Sequence, residues 1–384
     1  MGHPPGPSVV LARPDLAPEM GHGEALAGSY TRVVQTMAYL NHAGTSWPKA
    51  LEVRAAVERV FTGDPGTWAE DFERDQAEVA RLLGVAPDRL LLTPGCTSAL
   101  ALALADLPWS PGDRVLTSSF EHHALMRPLR ALERRGVEVV AIPARGDDPF
   151  DLDAFADELA RGARAVAISH ASNVTGALLP VGAILADARE RGAWTLVDAA
   201  QTAGWLPLPL EADLVAFAGH KGPGAPWGVG GLVVGSEVPM ASAGAVCTLG
   251  GEPPPRATPG YCDAGSVDRA ALAGLAAGLR RMADDAPLDR ARAHIARLEA
   301  ASGELERLGP PPAARMPTLA LRVPDPEPIR VRLRDAGVVA SVGLQCAPRA
   351  HETLGTAPSG ALRFSAGPTT TAADIDRAIA ALTR

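Results

Sequence analysis

From residue 89 onward the chain alternates short apolar runs with amphipathic stretches. The runs are RLLLT, RVLTS, VEVVAIP, RAVAISH, AWTLVDA, LVAFAG and GVGGLVVG. Between several of them lie TSALALALADL, HHALMRPLRALERRG and PVGAILADARERG. Apolar runs of strand length belong to strands buried on both faces, and the helical periodicity between them belongs to the segments that bury them. The pattern predicts an α/β fold with a mostly parallel seven-stranded sheet flanked by helices. Ahead of the sheet, LEVRAAVERVF after Pro48 and the stretch 69–84 read as helices. Beyond it, helices are expected at 267–282 and 286–308, followed by PPPAARMP as a linker. A smaller α+β unit closes the chain, with strands in TLALRV, GVVASVG and ALRFSAG, a helix near 327–336 and a last helix in TAADIDRAIAALTR.

At 384 residues the chain exceeds what one hydrophobic core usually supports, so two domains are expected. We expect a mobile N-terminal extension at 1–36, a segment at 37–50 that joins the small domain, a large domain at 51–285 and a small domain at 286–384. The net charge of -8 argues against a broad nucleic-acid or membrane face. No apolar run has the length of a membrane span. The start, MGHPPGPSVVLARPD, lacks the basic and apolar regions of a secretory signal, so a cytoplasmic location is expected. Cys96, Cys247, Cys262 and Cys346 are scattered without metal-ligand spacing, so neither a metal site nor a disulfide framework is expected.

Among the 36 basic residues only Lys49 and Lys221 are lysines. Arginine replaces lysine as a generic charge but not as an amine nucleophile, so these two positions stand out. In open parallel sheets, ligands sit beyond the carboxyl ends of the strands. The polar segments there are TPGCTS, SSFEHH, HASNVTG, DAAQ and GHKG. TPGCTS feeds a helix N-terminus, where backbone amides and the hydroxyls of Thr97 and Ser98 suit a phosphate, although an ordinary capped helix has the same look. Asp198 ends a strand, where a carboxylate can keep a pyridine nitrogen protonated, and Gln201 follows within reach of a ring oxygen. Lys221 stands between Gly219 and Gly222 and can form an imine with an aldehyde. His122 can stack on an aromatic ring, whereas His123 reads as a surface residue. Together these groups suit pyridoxal 5'-phosphate (PLP).

The motifs YLNHAGTSWPK, TPGCTSAL, EHHA, SHASNVTG, VDAAQ, GHKG, DAGS, GLQCAP and LRFSAG occur in an order that resembles the PLP-dependent aminotransferase class V family, within it the group II cysteine desulfurases and selenocysteine lyases. The resemblance covers roughly residues 38–384. It implies a fold type I homodimer. Lys221 carries the cofactor as a Schiff base, Asp198 faces the pyridine nitrogen, Gln201 the ring oxygen, and His122 stacks on the ring. Asn173 lies near the ring oxygen and the substrate carboxylate, Thr97 and His220 bind phosphate, and Cys96 joins the cofactor contacts. Ser266 reaches the partner's phosphate, Arg363 clamps the substrate carboxylate with Asn41 beside it, and Cys346 accepts sulfur as a persulfide. Two positions depart from the family pattern: Ala218 replaces a hydroxyl residue, and Ser341 stands where group II often has arginine.

The implied reaction is removal of sulfur from L-cysteine or a related amino acid, leaving alanine, with a protein or small molecule taking the sulfur onward. Other readings stay open. They are a C–S lyase eliminating sulfur from a cysteine conjugate, a class V epimerase or aminotransferase, and a PLP-fold scaffold without activity.

Overall fold

The computed structural model describes residues 37–235, 238 and 267–383. Its elements fall within one compact unit, Ala38–Arg384. In chain order they are β1 (Ala38–Tyr39), α1 (Leu51–Thr62), α2 (Trp68–Leu83), β2 (Leu90–Thr93), α3 (Cys96–Asp106), β3 (Arg114–Ser118), α4 (His123–Glu133), β4 (Glu138–Ile142), α5 (Leu152–Ala160), β5 (Ala165–Ser169), α6 (Val181–Glu190), β6 (Trp194–Asp198), β7 (Leu214–Ala218) and β8 (Gly230–Val234). Then follow α7 (Arg269–Asp285), α8 (Leu288–Ala300), β9 (Arg307–Leu308), β10 (Thr318–Leu321), α9 (Pro326–Asp335), β11 (Val338–Val339), β12 (Ser341–Gly343), α10 (Pro348–Thr353), β13 (Ala361–Ser365) and α11 (Ala372–Leu382). The expected extension at 1–36 lies outside the described residues. No helix among the described residues is long and apolar enough to cross a membrane.

The seven expected runs form one seven-stranded sheet in the order β2-β8-β7-β6-β5-β3-β4. Alternation explains why every residue of β5 and β7 is buried. Ala165 and Ala167 of β5, with Leu214 and Ala216 of β7, face α3 and α4. Val166, Ile168, Val215 and Phe217 face the opposite layer, built by α2, α5, α6 and α7. The sheet is parallel except at β8, which runs antiparallel to both β7 and β2. The turn from β7 to β8 carries no helix, and a parallel return needs a longer crossover. The strand order reverses between β3 and β5, which places the ends of those strands at a switch point where ligands bind.

A second, four-stranded antiparallel sheet has the order β12-β13-β10-β9. Leu319, Leu321, Leu362 and Phe364 pack against α8, α9 and α11. Arg363, lying between Leu362 and Phe364, therefore points to the other face, where it meets Asn41 and Asn173.

Three sequence expectations change. The helix expected at 286–308 ends at Ala300, because Gly303 adopts φ +65° and residues 307–308 join the sheet as β9. GVVASVG is two strands, not one: β11 pairs with β1 and β12 with β13. PPPAARMP is not a loose linker. Arg315 is 1% exposed, pairs with Glu299 and donates to the Pro310 carbonyl, while the Met316 amide bonds the Gly176 carbonyl at 2.8 Å.

Candidate active site

The carboxyl ends of the sheet strands and the second sheet enclose a cavity of about 520 Å³. Asn41, Cys96, Thr97, His122, Asn173, Asp198, Gln201, His220, Lys221, Cys346 and Arg363 all line it. Of the expected site residues, Ser266 alone falls outside the described residues.

Lys221 follows β7 in a turn that only glycine permits. A Cβ on Gly222 would lie 2.3 Å from the Ala203 carbonyl oxygen, and one on Gly219 would lie 2.9 Å from Val229. The segment before α1 locks this turn, since Ser46 Oγ donates to the Lys221 carbonyl at 2.5 Å and Ser46 N to the His220 carbonyl at 2.9 Å. Burial lowers the Lys221 amine below the usual lysine range, and Asp198 opposes that shift. An amine so placed is more readily neutral, as a nucleophile or base must be.

Asp198 ends β6 and is 6% exposed. Its Oδ1 accepts from Ala200 N at 2.9 Å and from the Cys96 thiol at 3.2 Å. Burial, and then the Asp198 charge, push the Cys96 thiol well up, so it stays protonated and donates. In this structure Cys96 acts on the Asp198 carboxylate. Gln201 Nε2 donates to the Ala43 carbonyl at 3.0 Å, which fixes the orientation of the amide.

His122 caps α4, its Nδ1 accepting from Ala124 N at 3.0 Å. Burial, then Lys221, lower it to about 4, so the ring is neutral at physiological pH with its proton on Nε2. His123 contributes its backbone: its amide donates to the Cys346 carbonyl at 2.8 Å. The His220 Nδ1 lies 3.1 Å from Thr45 Oγ1, and burial lowers that ring to about 4. A bound anion would favour its protonated form.

Arg363 is 3% exposed. It donates to the Asn173 carbonyl at 2.6 Å and to Asn41 Oδ1 at 2.7 Å, while its Nε has no partner. Asn173 Nδ2 donates to the Gln345 carbonyl at 2.7 Å, and Asn173 Oδ1 is likewise unpartnered. Buried polar atoms without partners are costly, and the two beside this cavity suit a polar ligand. The residues fit PLP with an amino acid: a carboxylate for a pyridine nitrogen, a helix N-terminus with Thr97 and Ser98 for a phosphate, a desolvated amine for an aldehyde, and a guanidinium for a carboxylate.

Cys346 is exposed and lines the cavity. The loop around it is held. Both flanking carbonyls are hydrogen-bonded, Ala347 is buried, and Gln345 and Cys346 take φ +42° and +58°.

Sequence reasoning missed Glu121, although it stands in the EHHA motif. Its carboxylate is buried beneath the cavity and accepts from Ser118 Oγ and Ser169 Oγ, both at 2.5 Å, and from Ser169 N at 3.0 Å. A charged residue three positions after an apolar strand was the available signal. Burial pushes Glu121 up to about 7 against these hydrogen bonds. Folded Glu121 thus holds its proton more tightly than the unfolded chain, so its stabilising contribution is present in acid and is lost as pH rises through 7. The buried histidines act in the opposite sense, so variant and wild type must be compared. We expect Glu121→Gln to gain stability relative to wild type between about pH 5 and about pH 8, by on the order of 3 kcal/mol. Urea midpoints at the two pH values test this, and identical pH dependence in both proteins would count against it.

The family model for Aminotransferase class-V matches residues 51–378. A relative described as "Probable cysteine desulfurase 2" of Mycobacterium leprae is 31% identical over 342 residues, covering 82% of this chain and 80% of the relative. Other curated relatives are matched over 42% to 95% of their length. Among solved structures, the apo cysteine desulfurase of Thermococcus onnurineus superposes with a TM-score of 0.82 at 23% identity, over 91% of this chain and 94% of that one. The cystine C–S lyase C-DES, solved with cysteine persulfide, superposes with a TM-score of 0.78 at 22% identity, over 91% of this chain and 98% of that one. The fold, the family match and the long alignment agree: this chain belongs to the aminotransferase class-V family.

Proposed function

We propose that this chain is a PLP-dependent cysteine desulfurase-like enzyme that takes sulfur from L-cysteine onto Cys346 and releases alanine. One observation carries the reading: the half-buried amine of Lys221 and the thiol of Cys346 line the same cavity. When bound, PLP supplies an aldehyde for the substrate amine and a ring that draws electrons from the substrate Cα.

The chain's own groups supply the rest. Asp198 would face the ring nitrogen and keep it protonated. His122 would supply a flat neutral face to the ring, and Gln201 would lie near the ring oxygen. The α3 N-terminus, Thr97 and His220 would hold the phosphate, with Ser266 contributed across a homodimer, while Cys96 supports Asp198. The Arg363 guanidinium would orient the substrate carboxylate beside Asn41, with Asn173 near the ring oxygen and that carboxylate. Lys221 removes the Cα proton. The Cys346 thiolate attacks the substrate sulfur. A sulfur–sulfur bond forms, the carbon–sulfur bond breaks, and the proton given up by the thiol ends on the product carbon. No external oxidant is needed, and a protein or small-molecule acceptor then removes the sulfur.

In this reading 51–285 is the large domain and 286–384 the small one. The pairing of β1 with β11 supports the assignment of 37–50 to the small domain.

A specific observation favours a second reading. Ser341 lines the cavity where group II enzymes often carry arginine. A wall without that charge suits a larger cysteine conjugate, which a C–S lyase would cleave to pyruvate and ammonia without Cys346. Product analysis separates the two. From L-cysteine and reductant the holoenzyme is expected to give alanine and sulfide in equal amounts; pyruvate and ammonia in place of alanine would establish the lyase.

A further inference from the structure

Gln345 and Cys346 both occupy the left-handed region, which residues with a side chain rarely adopt in succession. Something must hold them there. Behind the loop lies His351, which is fully buried on α10. Its Nε2 is 2.9 Å from Gln345 Oε1, and its Nδ1 is 2.8 Å from Thr356 Oγ1.

The direction of each bond follows from the ends of the chain. Gln345 Nε2 donates to the Ala361 carbonyl at 3.0 Å, so Oε1 must accept. His351 Nε2 therefore carries a proton. Burial lowers this ring to about 4, so it is neutral and its Nδ1 accepts. Only the Thr356 hydroxyl is there to donate. The result is one directed relay, from Thr356 through His351 and the Gln345 side chain to β13. The same glutamine is held on its main chain by Asn173, and the Cys346 carbonyl by the first turn of α4.

We propose that His351 is a positioning residue for Cys346: acting through the Gln345 side chain, it keeps the Gln345–Cys346 pair in the left-handed conformation that sets the thiol at the cavity. The proposal rests on the reading of Cys346 as the sulfur acceptor. His351 touches neither cavity nor substrate and takes no proton in the reaction. Without it, Gln345 loses its only side-chain hydrogen-bond donor, and the pair relaxes toward ordinary backbone regions.

The test uses the full-length holoenzyme and three variants. His351→Met keeps the volume and removes the donor. His351→Gln keeps a donor at similar reach. Thr356→Val removes the hydroxyl that orients the ring, and it serves if His351→Met does not fold. Amide hydrogen exchange is read on peptides covering 344–351, alongside PLP loading, KM and kcat for sulfide release from L-cysteine. In His351→Met, exchange at 344–347 is expected to rise on the order of tenfold while distant peptides are unchanged. The kcat is expected to fall by a similar factor with KM and PLP loading preserved, and His351→Gln is expected to recover most of both. Unchanged exchange at 344–347 overturns the proposal. So does raised exchange with wild-type kcat. If Cys346→Ala proves as active as wild type, the desulfurase reading fails, and the exchange data still decide whether His351 holds the loop.

Discussion

Lys221→Ala is expected to lose turnover of L-cysteine by roughly ten-thousandfold or more, the scale of losing both an acid–base group and the site of covalent attachment. The structure makes this residue hard to replace. Lys221 is the amine that lines the cavity with Asp198, and burial lowers it toward neutrality. Lys49, the only other lysine, is also lowered by burial, to about 8, and sits 5.5 Å over the Trp227 ring. Borohydride reduction of the wild-type holoenzyme should fix the cofactor on the Lys221 peptide and on no other. Reduction that still fixes it covalently in Lys221→Ala would move the attachment to Lys49.

The fold was largely legible because its signals are local. β5 and β7 are read from runs of small and branched apolar residues, and the covering helices from their periodicity. The antiparallel return of β8 was not legible. GVGGLVVG has the composition of a parallel core strand, and its direction is set by the short path from Lys221, which periodicity does not report. The split of GVVASVG escaped for a related reason: its first half pairs with residues 300 positions upstream and its second half with residues 18 to 22 positions downstream, as the pairings Ala38–Val338 and Ser341–Arg363 show. In the site, residues at strand ends were legible, since topology alone brings Asp198, Lys221 and His122 together. The groups that hold them were not. Glu121 and His351 act through side-chain contacts made only after the sheets pack, and a buried titratable residue next to a loop looks like a surface one in the sequence.

Cys346→Ala is expected to separate the two halves of the chemistry. Cys346 is exposed, so the substitution opens no cavity in the core. Alanine meets the same backbone penalty at φ +58° as cysteine, so the loop should keep its conformation. The variant should load PLP like wild type and exchange the Cα hydrogen of L-cysteine with solvent, because Lys221 and Asp198 do that. Its release of sulfide in the presence of reductant should fall by on the order of a thousandfold, since the thiolate is the required nucleophile. Wild-type sulfide release with formation of pyruvate would transfer the function to the C–S lyase reading.

The most direct measurement is peptide mass mapping of the wild-type holoenzyme after a single equivalent of L-cysteine, without reductant. The expected result is the mass of one added sulfur atom on the Cys346 peptide, matched by an equal amount of alanine and reversed by reductant. An unmodified Cys346 peptide accompanied by pyruvate would contradict it.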